Sequence, residues 1–317
     1  MFKIKRKFFV FGAILTLFFI GYVWQDTMQK IEIERYRSVG TFVNVNSHNI
    51  HTYVQGDGTT CFVFMAGSGT PCAYSDFYNL QNEFSQYSKT ITYDHAGFGW
   101  SEKTSSSRVV DTLADELNSI LNEVDAGNEC ILICHSLASL EAIRFAQLYS
   151  NRVKGIVFLD SGSPEFYSTN SELQSYILNR VCSALRVTGI NRLLGNFGVY
   201  LPIVGENDRI SMLPDEIKHI DKVMYYRYLG NKANVANINL INENAQTVLN
   251  GNTLVDIPIL VLSSDSGEKW GSVQNQLSKW SENNHQVTIE NSGHYIHWTN
   301  QHKVIEKIHS FVEDINK

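Results

Sequence analysis

The sequence predicts an α/β fold with a mostly parallel central sheet flanked by helices and a helical cap inserted between strands. Two observations carry that prediction. Short all-apolar runs at residues 61–65, 130–134, 155–159 and 257–262 read as strands buried on both faces, and most are followed by helical patterns. Between the last two runs, residues 161–251 hold only helical candidates and turn signals. At 317 residues and 43% hydrophobic content, the chain can fill one large core.

The chain opens with Lys3, Lys5, Arg6 and Lys7, followed by an almost unbroken apolar run over residues 8–24. That length is near the lower limit for a helix crossing the hydrocarbon core. Basic residues ahead of the apolar run predict a cytoplasmic N-terminus and an extracytoplasmic domain. No small-x-small site lies between Gly21 and Asp26, which favours an uncleaved membrane anchor (1–24) over a removed signal peptide that would leave a secreted domain. A polar stem (25–40) then leads to a core made of residues 41–161 and 252–317, with the cap at 162–251.

Within the core, residues 41–45 and 50–54 read as a hairpin, 76–87 as a helix and 90–93 as a strand. Residues 109–124 form an amphipathic pattern with Leu113, Leu117, Ile120 and Leu121 on one face. A helix over 137–149 follows the strand at 130–134. In the cap, Ser163-Pro164-Glu165 and Leu213-Pro214-Asp215-Glu216 carry the proline and acids of helix starts. A strand at 286–290, a loop holding His294 and a helix at 303–312 close the chain.

A formal net charge of −6 argues against a nucleic-acid partner, which needs a clustered basic face. The five cysteines show none of the spacings of a zinc site, so no metal and no cofactor is implied. Cys61 and Cys130 both begin strands and could pair in an exported domain; all five read as buried small hydrophobes.

Strand, sharp turn and helix meet at Ser136, the arrangement that lifts a serine hydroxyl above the strand ends. Cys134 and Ala138 stand where the usual G-x-S-x-G pattern has glycines. Taken alone, such a serine is more often a helix N-cap. His294, on a glycine-bearing loop between the last strand and the last helix, supplies the base that a serine hydroxyl needs to become a nucleophile. His297 is a rival base one helical turn further on. Two acids compete to orient the imidazole: Asp160, at the end of the strand after the Ser136 helix, and Asp265, just after the strand at 257–262.

From residue 41 onward the chain resembles the α/β-hydrolase superfamily, nearer its esterase, lipase and proline-iminopeptidase-like branches. Four segments carry the likeness: Ala66-Gly67-Ser68-Gly69, similar to the family's H-G-x-G loop; Asp94, Gly97, Gly99 and Ser101, similar to its D-x-x-G-x-G-x-S turn; the Ser136 turn; and Gly293-His294. Ala66 and His95 stand where histidine and arginine are frequent. The resemblance implies an oxyanion hole from the backbone N–H groups of Ser68 and Leu137. It also places the acid more often after the strand that precedes Asp265, yet two residues further on, at Gly267; some branches use the position of Asp160, which is therefore favoured.

The expected activity is a serine hydrolase cleaving a carboxylic ester, thioester or small amide through an acyl-enzyme. The substrate is a small molecule with an apolar or aromatic group, because the cap is rich in Phe166, Tyr167, Tyr176, Phe197, Tyr200, Met224, Tyr225, Tyr226 and Tyr228. Many of these must simply pack the cap. Recognition of a free amine would call on Glu165, Glu206 or Glu243. Epoxide and halide chemistry on this fold uses an aspartate where this chain has Ser136. A catalytically silent binding or sensing module is the alternative reading.

Overall fold

The computed structural model describes residues 2–201 and 203–317, with the backbone alone at 2–6. The side chains of Lys3, Lys5 and Arg6 in the basic cluster therefore lie outside the described residues. Helix α1 (Phe2–Arg35) is unbroken, and its segment from Lys7 to Arg35 is long and apolar enough to cross a membrane, with a mean hydropathy of 1.9 in its best window. Residues 25–35, read from sequence as a stem, continue this helix.

The core follows as β1 (Thr41–Val45), β2 (His48–Gln55), β3 (Cys61–Met65), α2 (Ala73–Asp76), α3 (Tyr78–Phe84), β4 (Lys89–Tyr93), α4 (Val110–Glu123), β5 (Cys130–His135), α5 (Ala138–Leu148) and β6 (Val153–Leu159). Six helices come next: α6 (Pro164–Thr169), α7 (Leu173–Val187), α8 (Ile190–Asn196), α9 (Glu206–Met212), α10 (Asp215–Tyr228) and α11 (Lys232–Leu249). The chain ends with β7 (Ile259–Ser264), α12 (Glu268–Ser278), β8 (Asn284–Ile289), α13 (Ile296–Thr299) and α14 (Gln301–Ile315).

The eight strands form one sheet in the order β1-β2-β4-β3-β5-β6-β7-β8. Only the pairs β1–β2 and β2–β4 are antiparallel. Asn46 and Ser47 turn the β1–β2 hairpin with φ of 48° and 66°, the left-handed pair that matches strand twist in a two-residue loop. Strands β3, β5 and β7 are buried at every residue, so each needs apolar side chains on both faces and shows no alternation. Helices cover the two faces: α4 and α5 pack with Leu117, Ile120, Ile143 and Phe145 on one, and α3 and α14 with Phe84, Val304 and Ile308 on the other.

Most element ends differ from the sequence reading by a few residues, and two of the differences have a local cause. The helix expected at 76–87 is split into α2 and α3 around Phe77, whose φ and ψ of −106° and 10° leave the helical range. Strand β7 begins at Ile259, because Pro258 has no N–H to give to the sheet. All five cysteines are buried free thiols, and Cys61 faces Cys130 across β3 and β5.

The far half of α1 is bolted to the helical insert. Arg192 on α8 is buried, donates to Gln25 Oε1 at 2.6 Å and to both oxygens of Glu32, and stacks over Tyr226 at 4.6 Å. Gln25 Nε2 in turn donates to the Tyr226 carbonyl at 2.7 Å. Gly21 fits against the Thr188 carbonyl so closely that a Cβ there would lie 2.1 Å from the oxygen.

Candidate active site

Parallel strands present their carboxyl ends on one edge of the sheet, and loops leaving that edge are where such folds place ligands. Ser136 leaves β5, Asp160 leaves β6, Ser68 follows β3 and His294 follows β8. Ser136 has a φ of 55° and Asp160 one of 44°, so both turns hold a side chain in the left-handed region where L residues are strained. At Ser136 the neighbours explain how the turn is kept: its N–H donates to the Leu159 carbonyl at 3.2 Å, and Ser139 N–H donates back to the Ser136 carbonyl at 3.3 Å.

The structure brings three of the candidate residues together. His294 Nε2 lies 3.0 Å from Ser136 Oγ, and His294 Nδ1 lies 2.7 Å from Asp160 Oδ2. Asp160 is fully buried, Ser136 half-buried, and the His294 side chain about 40% exposed, so the imidazole has one face toward solvent. Burial opposes the charge on Asp160, but the His294 contact, the Ser264 N–H at 2.7 Å and the Gln274 amide at 2.5 Å outweigh it and hold its carboxyl below the ordinary value. Asp265 is elsewhere. It is exposed and accepts from the N–H groups of Asn291 and Ser292 at 2.7 and 3.1 Å, pinning the loop that carries His294.

Ser68, which follows the Gly67 that packs on Ser136, and Leu137, which follows Ser136 in the chain, line a small cavity of about 60 Å³ with Phe98, Leu140 and Ile241; Ser136 itself is not in its wall. Gly67 is required there: a Cβ would sit 2.9 Å from His135 Nδ1 and 3.1 Å from the Ser136 Cβ. Glu141 forms a wall of the cavity, accepting from Tyr93 Oη at 2.6 Å and pairing with His95 at 2.7 Å. Burial raises the energy of its charge, yet these partners keep its carboxyl below the ordinary range. The large apolar side chains of the insert mostly pack it: Tyr167, Met224, Tyr225, Tyr226 and Tyr228 are buried, Phe197 is exposed, and none of the nine singled out lines this cavity.

Several residues of the site escaped the sequence reading. Trp270 and Gln274 on α12 reach Asp160, yet nothing in their local pattern marks them. His135 lies just before the serine and donates from Nε2 to the His294 carbonyl at 3.0 Å; its place next to Ser136 was a usable signal. His297 is buried on α13, stacked on Phe77 and 3.5 Å from Asp76. Asp76, His135 and His297 offer ligand atoms within 4.8 Å of one another. Arg209 already stands 3.1 Å from Asp76, so a cation there would face a guanidinium.

Arg209 is completely buried and shared by Asp76, Glu206 and Asp221. One guanidinium cannot neutralise three carboxylates. Burial, aided by Asp221 and Asp76 and opposed by Arg209, pushes the Glu206 carboxyl up to about 8, so Glu206 keeps its proton at neutral pH although it touches Arg209. That position leaves it no free face for a substrate amine. Glu243 is exposed on α11, and Glu165 is half-buried on α6.

Residues 65–183 match the family model described as alpha/beta hydrolase fold. An uncharacterised protein of Bacillus subtilis, YbdG, is 28% identical over 87% of this chain and 83% of its own length. Among solved structures, a thermophilic esterase from Thermogutta terrifontis superposes with a TM-score of 0.65 at 16% identity, over 88% of this chain and all of that one. An epoxide hydrolase of Bacillus megaterium gives 0.65 at 17% identity, over 86% of this chain and all of that one.

Proposed function

We propose that this chain, which has the α/β-hydrolase fold, is a serine hydrolase that cleaves a carboxylic ester, thioester or small amide through an acyl-enzyme. The observation that carries this reading is the hydrogen-bonded line from Ser136 Oγ through His294 to Asp160, at 3.0 and 2.7 Å. His294 Nε2 takes the Ser136 proton as Oγ attacks the substrate carbonyl, and Asp160 stabilises the imidazolium that forms. The negative charge on the tetrahedral oxygen falls to the backbone N–H groups of Ser68 and Leu137. His294 then gives its proton to the leaving group. Water, deprotonated by His294, releases the acid and restores Ser136.

A serine at the elbow attacks as an alkoxide-like nucleophile and leaves an ester, which favours acyl transfer. The cavity lined by Ser68 and Leu137 is small and mixed, with apolar Phe98, Leu140 and Ile241 beside polar Asn237 and Asn244, which suits a short acyl or alkyl group at the reacting carbon. Intact-mass analysis after a fluorophosphonate probe tests the reading. A single adduct on the wild type, absent from Ser136→Ala and His294→Ala, is expected. A folded wild type that takes no adduct sinks the serine mechanism and leaves the silent binding module.

The same proposal includes α1 as an uncleaved anchor, with the N-terminus cytoplasmic and the remaining chain on the other side. Its support is that residues 21–32 pack against the insert through Gly21, Gln25 and Glu32, so removing the segment up to 24 would strip a formed contact. Resistance of the protein to carbonate extraction, with protease access only from outside, is the expected result.

A further inference from the structure

A second cavity, of about 580 Å³, opens beside the first, between α1, the loop after β4, and helices α7, α10 and α11. Arg108 lines both. In a chain of net charge −6, this cavity has Lys103, Arg108, Arg186, Arg227 and Lys232 in its walls and no carboxylate. Arg108 is neutralised by Glu116 at 2.6 Å. The other four have no ion pair among the described residues: Arg186 donates to the Leu229 carbonyl at 2.9 Å and Arg227 to the Tyr228 hydroxyl at 2.9 Å. Lys103 and Lys232 are exposed.

Cations gathered without counter-charges repel one another, and a partly buried guanidinium held only by a neutral carbonyl is destabilised. Burial accordingly pulls the Arg186 pKa down. An anion entering the cavity relieves both costs. Hydroxyls of Thr104, Ser105 and Ser106 on the same wall add neutral donors. The volume is that of a site for one small group and not of a track for a polymer.

The height of the cavity favours a lipid source for that anion. Gln29 of α1 lines it, five residues past Trp24, where the apolar run ends. At ~1.5 Å per residue, that is about 7.5 Å above the hydrocarbon boundary. The headgroup layer of a bilayer is about 5–7.5 Å thick on each face.

We infer that this cavity is a subsite for a phosphate group, set at the level of the phosphates of anionic lipid headgroups. It shares Arg108 with the small cavity lined by Ser68 and Leu137, so a lipid-like ester held by its headgroup phosphate would be anchored within one side chain of the proposed reacting site. The placement in the headgroup layer rests on the anchor reading of α1; the charge argument does not.

The test is the melting midpoint of the full chain in neutral detergent micelles at matched ionic strength. Dioleoylphosphatidylglycerol, dioleoylglycerol and inorganic phosphate are each titrated in. A rise of about 5 °C at saturating dioleoylphosphatidylglycerol is expected, with none for dioleoylglycerol. The rise should vanish in the double variant Lys103→Gln, Lys232→Gln and shrink in Arg227→Gln. Fluorophosphonate labelling should stay at the wild-type rate in the double variant, which separates this subsite from the serine chemistry. An equal rise with millimolar inorganic phosphate keeps the subsite and assigns it to a soluble phosphate compound. No rise with either phosphate source, a rise with dioleoylglycerol, or one that survives in the double variant overturns the inference.

Discussion

The indole Nε1 of Trp270 lies 3.0 Å from both carboxylate oxygens of Asp160, donating into the fork of the acid. With Gln274, Ser264 and His294 it completes the hydrogen bonding of a carboxylate that is wholly removed from water. Asp160 is therefore held as an anion, in one orientation, by groups from β7, α12 and the His294 loop.

Exchange of the two candidate acids separates them. Asp160→Asn keeps the shape but turns the wrong tautomer of His294 toward Ser136, and kcat/KM on a chromogenic ester should fall by about 10³–10⁴. Asp265→Asn retains a side-chain acceptor for the Asn291 and Ser292 N–H groups and should stay within about threefold of wild type. The reverse ranking would remove Asp160 from the mechanism.

Gly67→Ala pushes a methyl to 2.9 Å from the His135 ring and 3.1 Å from the Ser136 Cβ. The serine must shift by a few tenths of an ångström, and catalysis is sensitive to that scale. Ester turnover should drop by about tenfold or more, while the circular dichroism spectrum stays unchanged.

Stability should depend on pH through Glu206. Its pKa is about 8 in the folded chain, against about 4.3 in an unfolded one. The folded state holds the extra proton, so this contribution is complete below the unfolded value and is lost as pH rises through about 8. Urea unfolding at pH 5, 7 and 9 should show the wild type losing stability relative to Glu206→Gln across that window. Parallel curves for the two proteins would show that Glu206 is already ionised.

Arg192→Met removes the buried guanidinium that ties α8 to Glu32 and Gln25. Leaving Glu32 without its partner should cost about 3 kcal/mol. Hydrogen exchange read by mass spectrometry should show the amides of residues 25–35 losing protection before those of the sheet.

The sheet was legible because a strand buried on both faces has little choice but a run such as Cys61–Met65. The Ser136 turn and the His294 loop were legible because strained turns need small neighbours and glycines close by. The acid was legible only as a preference for Asp160 over Asp265, since both follow strands and only the paths of β6 and β7 decide which meets the imidazole. Trp270, Gln274 and most of the Arg209 cluster were invisible for the same reason: apart from Glu206, three positions from Arg209, their partners lie over ten to over a hundred positions away in sequence. The break at Phe77 was missed because the apolar spacing of 76–87 runs straight through it.

Helix α1 passes from Phe2 to Arg35 without interruption, and its far end is clamped by Arg192 and Gly21. A limp leash would let the folded domain swing through a hemisphere and sample the surroundings at every altitude. A clamped strut does the opposite. With α1 in a bilayer, as proposed, the cavity lined by Ser68 and Leu137 keeps one altitude and one tilt, so lateral diffusion in two dimensions, and not tumbling, sets what it meets.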